Sequence, residues 1–191
     1  MRFVIITISS IIFITVSFTI ILSKNSQQVA KESLTTAASL LPYENNTSSV
    51  SFTTFGNLVS GSQQTALRIK ISSSNVNISI LNGSQESIVK TENFSSNQTT
   101  YNHFLANLNS NDFLVSQTSS LAELSACPKG ETYQLNLSNN STTVSNLWDD
   151  NCNTGSDGTF KGNGNQNVFA IETLFENQIT NYSDFISGYS F

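Results

Sequence analysis

Charged side chains are scarce in this chain, and the shortage excludes some classes of function. Only 8 Lys and Arg and 13 Asp and Glu occur among 191 residues, which gives a net charge of −5. Binding to nucleic acid depends on clustered Lys and Arg, so we expect no nucleic-acid partner. Solubility must come instead from Asn, Ser, Thr and Gln.

Histidine is rarer still. His103 is the only one, and a Ser-His-Asp or Cys-His catalytic system would have to use it. No GxSxG nucleophile turn accompanies it, so we expect a surface or partly buried helix residue. A metal site is not expected either, because the chain has one histidine and no CxxC pair. We therefore predict no enzyme activity, no cofactor and no metal.

Cysteine occurs only twice, as Cys127 and Cys152. An even pair outside the cytosol predicts a disulfide, and two free buried thiols are the alternative. Closing a loop of about 26 residues would stabilise the fold by roughly 3–3.5 kcal/mol on the chain-entropy model.

One long apolar run stands out against this polar background. From Phe3 to Leu22 there is no charged residue, and about twenty helical residues span the roughly 30 Å hydrocarbon core of a bilayer. We predict a signal-anchor helix over residues 1–23 that contacts the membrane through residues 3–22. Small-x-small cleavage sites fit poorly after the run, which favours an anchor that is not cleaved. The alternative is a secreted protein released by cleavage. The prediction is a single-pass cell-membrane protein with its C-terminal domain extracytoplasmic.

A polar segment and one domain follow the apolar run. Residues 24–49 are predicted to be a stalk, in which Pro42 ends any helix that continues from the membrane. Residues 50–191 are then the extracytoplasmic domain, and roughly 140 residues suffice for a hydrophobic core.

Periodicity within the domain predicts an antiparallel sheet and two helices. Alternating apolar and polar residues predict strands over residues 50–59, 66–72, 75–81, 86–94, 112–116, 131–138 and 142–150. Turns are expected at Asn82-Gly83 and Asn139-Asn140. Helical stripes are formed by Tyr101, Phe104, Leu105 and Leu108, with Asn97 as N-cap, and by Val168, Ile171, Leu174 and Phe175. The predicted fold class is α+β: an antiparallel sheet with two helices packed on one face, preceded by one N-terminal transmembrane helix.

Two polar patterns late in the chain were weighed as sites. Alternating oxygen ligands from Asp149 to Asp157 are typical of a calcium loop, but Thr154 replaces the turn glycine and Phe160 stands where a bidentate Glu is needed. Glu172 and Glu176 lie one helical turn apart, where we expect them on the solvent face. We predict a ligand site at neither place.

The loop after Cys127 supports one alternative function. Pro128, Lys129 and Gly130 follow the cysteine directly, and this layout resembles the rigid protease-binding loop of subtilisin-inhibitor-like proteins. That family's other disulfide is missing here. The resemblance implies a speculative binding loop with Lys129 as the specificity residue for a trypsin-like protease.

A second resemblance covers most of residues 50–185. The order of segments is ALRIKISSSNVNISILNG, TTYNHFLANLN, ACPKGETYQLNL, LWDDNC, GTFKGN and LFENQITNY. It resembles a family of small, single-span, uncharacterised exported proteins of ultra-small, host-associated candidate-phyla bacteria. That family usually has Pro-Asp after the QI pair, where this chain has Thr180-Asn181. The resemblance implies address and fold, and no chemistry.

Together these features predict a membrane-anchored cell-surface protein that binds rather than catalyses. The most concrete expectation is a non-catalytic binding or envelope-associated module with an unknown surface or envelope protein as its partner. The binding surface is expected on the open face of the sheet or near the C-terminal aromatic residues. The inhibitor-like loop is the alternative.

Overall fold

The computed structural model describes residues 39–56, 64–82, 87–119, 130–151, 157–162 and 165–191. The predicted transmembrane helix over residues 1–23 and most of the predicted stalk lie outside these ranges. Within them, no helix is long and apolar enough to cross a membrane. The prediction of a membrane anchor therefore concerns residues that the structure does not describe.

The described chain forms one six-stranded antiparallel sheet with helices. The strands are β1 (Ser48–Phe55), β2 (Thr65–Ser72), β3 (Asn75–Asn82), β4 (Ser87–Ser95), β5 (Thr132–Asn139) and β6 (Thr142–Asp150). The helices are α1 (Gln98–Ser110), α2 (Asn165–Glu176) and the short α3 (Tyr182–Ile186). The predicted α+β class with an antiparallel sheet is confirmed.

The strand order is β4-β3-β2-β1-β5-β6. The first four strands are successive neighbours, whereas β5 and β6 form a hairpin on the other side of β1. Alternation within each strand gives the sheet an inner face that is apolar and an outer face that is polar. On the inner face Phe52 lies opposite Ile69 on one side and Leu135 on the other.

The two long helices cover the inner face. Phe175 of α2 is fully buried and contacts both Phe52 of β1 and Phe104 of α1, with ring centroids 5.6 and 5.0 Å apart. The predicted N-cap is confirmed, since the Asn97 side chain accepts a hydrogen bond from the Thr100 N–H. The four buried residues of α1 are those of the predicted stripe. Helix α3 was not predicted, and its Phe185 joins the same core.

The last residues of the predicted stalk lie inside the folded domain. Leu40 is 1% exposed, and its N–H donates to Asn109 Oδ1 at 3.0 Å. A 3₁₀ turn follows at Leu41–Tyr43, and β1 already starts at Ser48. Burial of the Leu40 side chain holds this segment against the end of α1. The polar composition of the predicted stalk does not indicate this contact.

The predicted strand over residues 112–116 is wrong except for one bridge. Residues 111–114 form a turn in which Asp112 takes a positive φ of 57°. Phe113 enters the core instead of a sheet and is 1% exposed. Only Ser116 pairs, in an isolated bridge with Phe160.

Candidate functional site

The outer face of the sheet carries an unbroken crosswise row of polar side chains. From β6 to β4 the paired residues of this central row are Asn146, Asn136, Ser51, Lys70, Asn77 and Asn93. Each occupies an outward position, because its neighbours along the strand face the core. The five other strands thus bring amides and a hydroxyl into one row with Lys70.

A hollow of about 620 Å³ lies on this face beside the central row. It is lined by serines, threonine, asparagines and one lysine: Asn46, Thr47, Ser48, Ser49, Lys70, Ser72, Asn75, Asn77, Asn93, Ser138 and Ser141. We call it the polar hollow. A second hollow of about 270 Å³ shares Ser49, Lys70 and Ser138 with it and adds Arg68 and Gln134 to the polar lining. The volume of the polar hollow is in the usual range of small-molecule sites and could hold one or two sugar rings.

Cross-strand hydrogen bonds hold part of the polar hollow in place. Asn93 Oδ1 accepts from Asn75 Nδ2 at 3.1 Å and from Asn77 Nδ2 at 3.0 Å. Asn77 Oδ1 in turn accepts from the Ser79 hydroxyl at 2.9 Å. These bonds fix the amides before any ligand arrives, which reduces the entropy lost on binding.

Among the described residues that line the polar hollow, Lys70 is the only charged one. Its side chain is exposed, and among the described residues no carboxylate pairs with it. The chain as a whole carries a net charge of −5, whereas none of the described residues that line the hollow is acidic. A lysine surrounded by amides and hydroxyls can hold an anionic group that also presents hydroxyls.

The edge of the sheet at β6 is covered near the end of that strand. Trp148 points outward from β6 but is only 6% exposed. Residues 157–160 run along it, where the Phe160 N–H donates to the Trp148 carbonyl at 2.9 Å. A Cβ on Gly158 would lie 2.3 Å from that carbonyl oxygen, so only glycine permits the approach.

A cluster of carboxyl and phenol groups lies on the opposite face, between α2 and the sheet. The Thr54 hydroxyl donates to Glu172 Oε1 at 2.9 Å, and the Tyr133 hydroxyl donates to Glu131 Oε2 at 2.5 Å. Burial raises the pKa of Glu172 to about 7, although the bond from Thr54 opposes the shift. The placement of Glu172 on the solvent face was wrong, since the side chain turns toward β1.

The described part of the loop that was weighed as a calcium site contains a buried acid. Asp149 is 4% exposed, and this burial raises its pKa to about 6, while the backbone N–H of Asp150 opposes the rise. Residues 152–156 of that loop lie outside the described ranges. Among the described residues no group of His, Cys, Asp and Glu is arranged to hold a metal ion.

The predicted site residues are only partly placed by the structure. Cys127, Cys152, Pro128 and Lys129 lie outside the described residues, so the disulfide and the inhibitor-like loop stay predictions. Gly130 is half-buried one residue before Glu131 leads into β5. His103 is exposed on α1.

The C-terminal aromatic residues, which were the second expected binding surface, mostly belong to the core. Phe185 is 3% exposed, and Tyr182 and Phe191 pack against the buried cluster. Tyr189 is 39% exposed. The concave surface on the sheet is thus the better formed of the two expected places.

The residues of the polar hollow were not singled out by their sequence pattern. Lys70 and Arg68 were recognised as the polar side of one strand, but charged residues on such a side are ordinary. The signal that matters is the cross-strand register, because it sets Lys70 between Ser51 and Asn77.

Comparisons of the chain with protein-family models, curated proteins and solved structures found no match.

Proposed function

We propose that this domain is a non-catalytic binding module whose polar hollow holds an acidic oligosaccharide. The observation that carries the proposal is Lys70, exposed and without a carboxylate partner among the described residues, in a hollow lined otherwise by amides and hydroxyls. The ammonium group pairs with a carboxylate or phosphate of the sugar, and the lining amides and hydroxyls bond to its hydroxyl groups.

The arrangement favours binding over catalysis. Among the described residues, Lys70 has no acid or base partner in the polar hollow with which to move a proton. The carboxyl groups with raised pKa values, Glu172 and Asp149, belong to the inner side of the sheet and do not line this hollow. A glycosidase would need a pair of carboxyl groups beside the bound sugar.

The setting proposed for this module is the cell surface. The uncharged run from Phe3 to Leu22 is long enough to anchor the chain in a bilayer. A tethered outward domain that binds acidic sugars would attach the cell to an envelope or a surface rich in such polymers. This part of the proposal depends on the sequence alone.

Calorimetric titration of the full chain with hexagalacturonic acid and with neutral cellohexaose tests the proposed ligand class. We expect the acidic hexamer to bind at least about tenfold more tightly, and its affinity to fall as salt is raised, since the ion pair is exposed to solvent.

Two lysine variants localise the effect. Lys70→Gln is expected to lower the affinity for the acidic hexamer about tenfold and to leave the weak binding of cellohexaose unchanged. Lys161→Gln is the matched control, because Lys161 is exposed but does not line the polar hollow. Equal losses in both variants, or none in either, would overturn the proposal.

A further inference from the structure

Strand β4 leaves one edge of the sheet open. All nine of its residues are exposed or half-buried, and Ile88 and Val89 are 64% and 51% exposed. Among the described residues, no backbone hydrogen bond reaches β4 from outside the sheet. An edge in this state is a template for another strand.

The opposite edge is covered along the last three residues of β6. Residues 157–160 lie along the end of β6, where Asp149 bridges to Gly158 and the Asp150 N–H donates to the Asp157 carbonyl. Strand β6 also contains two acidic residues, Asp149 and Asp150, and no basic residue, so two copies of β6 could not pair opposite charges with each other. If strands pair across an edge of this domain, β4 is the edge that the described residues leave uncovered along its whole length.

We propose that β4 pairs with β4 of a second copy of this chain, antiparallel, about a two-fold axis that passes beside Thr91. Such an axis makes the interface isologous, so each contact occurs twice. The result is a continuous sheet through both copies, with the two inner faces on one side and the two outer faces on the other.

The register between the two copies of β4 follows from the face to which each side chain points and from the charges. In an antiparallel pair, directly opposite residues point to the same face, so inward residues of β4 must oppose inward residues of the copy. Lys90 and Glu92 both point inward, opposite Ile80 and Ile78 of β3. An axis beside Lys90 would oppose two lysines, and an axis beside Glu92 would oppose two glutamates.

An axis beside Thr91 is the one register in this stretch that pairs the charges. It sets Lys90 against the copy's Glu92 and, by symmetry, Glu92 against the copy's Lys90. One ammonium donor of Lys90 already bonds to the Phe185 carbonyl at 2.7 Å, which leaves two donors for the carboxylate. Glu92 is exposed and has no ion pair among the described residues.

An irregularity in β4 limits the length of the pairing. The register with β3 shifts between Ile80 and Leu81, which leaves Val89 as an extra residue. Bulges protect natural edges by twisting them, and this one lies at the start of the strand. The regular stretch from Lys90 to Ser95 contains both charges.

The proposed dimer does not depend on the proposed ligand, but it would extend the same surface. Asn93 of β4 lines the polar hollow, so the hollows of two copies would lie on either side of the joined edges. One strand pair buries less than the roughly 1,200–2,000 Å² of stable complexes. We therefore expect a dimer that dissociates in the range of about 10–100 µM.

Site-directed cross-linking of the full chain in mild detergent tests the register. Thr91→Cys places two thiols opposite each other across the axis, at a Cβ separation near that of a disulfide. We expect oxidation to yield at least about five times more covalent dimer than Asn93→Cys, which lies on the same face but opposite Val89. Peptide mass spectrometry separates this bond from any bond of Cys127 or Cys152.

A charge reversal provides the second arm. Adding Glu92→Lys to Thr91→Cys opposes two lysines at each end of the axis and is expected to reduce the cross-linked dimer at least about fivefold. Because Glu92 is exposed, the variant should fold, and circular dichroism checks this. Equal cross-linking at positions 91 and 93, or a yield that Glu92→Lys leaves unchanged, overturns the proposal.

Discussion

Two residues at the β5–β6 turn adopt an uncommon backbone conformation. Asn140 and Ser141 have φ values of 50° and 64°, and Asn139 pairs with Thr142 around them. This is the geometry of a two-residue hairpin loop with both central residues left-handed. Asparagine tolerates the left-handed region, whereas serine is strained there.

Replacing Ser141 by glycine should therefore stabilise the protein. Glycine adopts positive φ without steric cost, so Ser141→Gly is expected to raise the free energy of unfolding by about 0.5–1 kcal/mol. Urea titration measures the change. Ser145→Gly in the adjoining strand is the matched control and should destabilise, because its φ is not positive. A lower midpoint for Ser141→Gly would contradict this account of the turn.

Glu172 should make stability depend on pH. Burial raises its pKa from 4.5 to about 7 in the folded protein, so the protonated form is favoured by folding. Its contribution to stability is fully present below about pH 4.5 and is lost as the pH rises through about 7.

The variant Glu172→Gln should remove this part of the pH dependence. It keeps an oxygen that can accept from the Thr54 hydroxyl, and at pH 8 it should raise the free energy of unfolding by about 1–2 kcal/mol after solvent screening is considered. Thermal unfolding at pH 5 and pH 8 measures both effects. A variant that loses the same stability as the native chain between these pH values would contradict the burial of Glu172.

At the scale of elements, helix α1 depends on its N-cap residue, Asn97. The Asn97 side chain satisfies the N–H of Thr100 at 2.9 Å, and the helix has no acidic residue in its first turn. Asn97→Ala should lower the free energy of unfolding by about 1 kcal/mol. Asn107→Ala, on the exposed side of the same helix, should change it little or raise it slightly. Urea midpoints of the two variants distinguish a capping effect from a general loss of asparagine.

Most elements could be predicted because their patterns are local. The sequence alternates between apolar and polar residues from Leu67 to Ile71 in β2 and from Val76 to Ile80 in β3, and α1 has a four-residue stripe and a capping residue. The strand predicted at residues 112–116 was wrong because Phe113 and Val115 also stand at alternate positions, as in a strand. There the core behind α1 takes the Phe113 side chain, and only contacts distant in sequence decide between the two outcomes.

At the scale of the whole molecule, the sheet order was beyond the reach of the sequence pattern. Strand β5 could have joined β4, its neighbour along the chain before α1, yet it pairs with β1. The polar hollow exists only in this order, since β1, β2, β3 and β5 together bring Ser49, Lys70, Asn77 and Ser138 to it. Polar alternation predicts an outer face but not which residues meet on it.

The central claim is that the outer face around Lys70 is the binding surface, and amide chemical-shift mapping tests it most directly. Spectra of the isotope-labelled full chain are recorded while hexagalacturonic acid is added. We predict that the shifted signals cluster at Ser49, Ser51, Lys70, Asn77 and Asn136, and that Lys70→Gln abolishes these shifts. Shifts confined to α1, α2 or the inner face, or no shifts at all, would contradict the account.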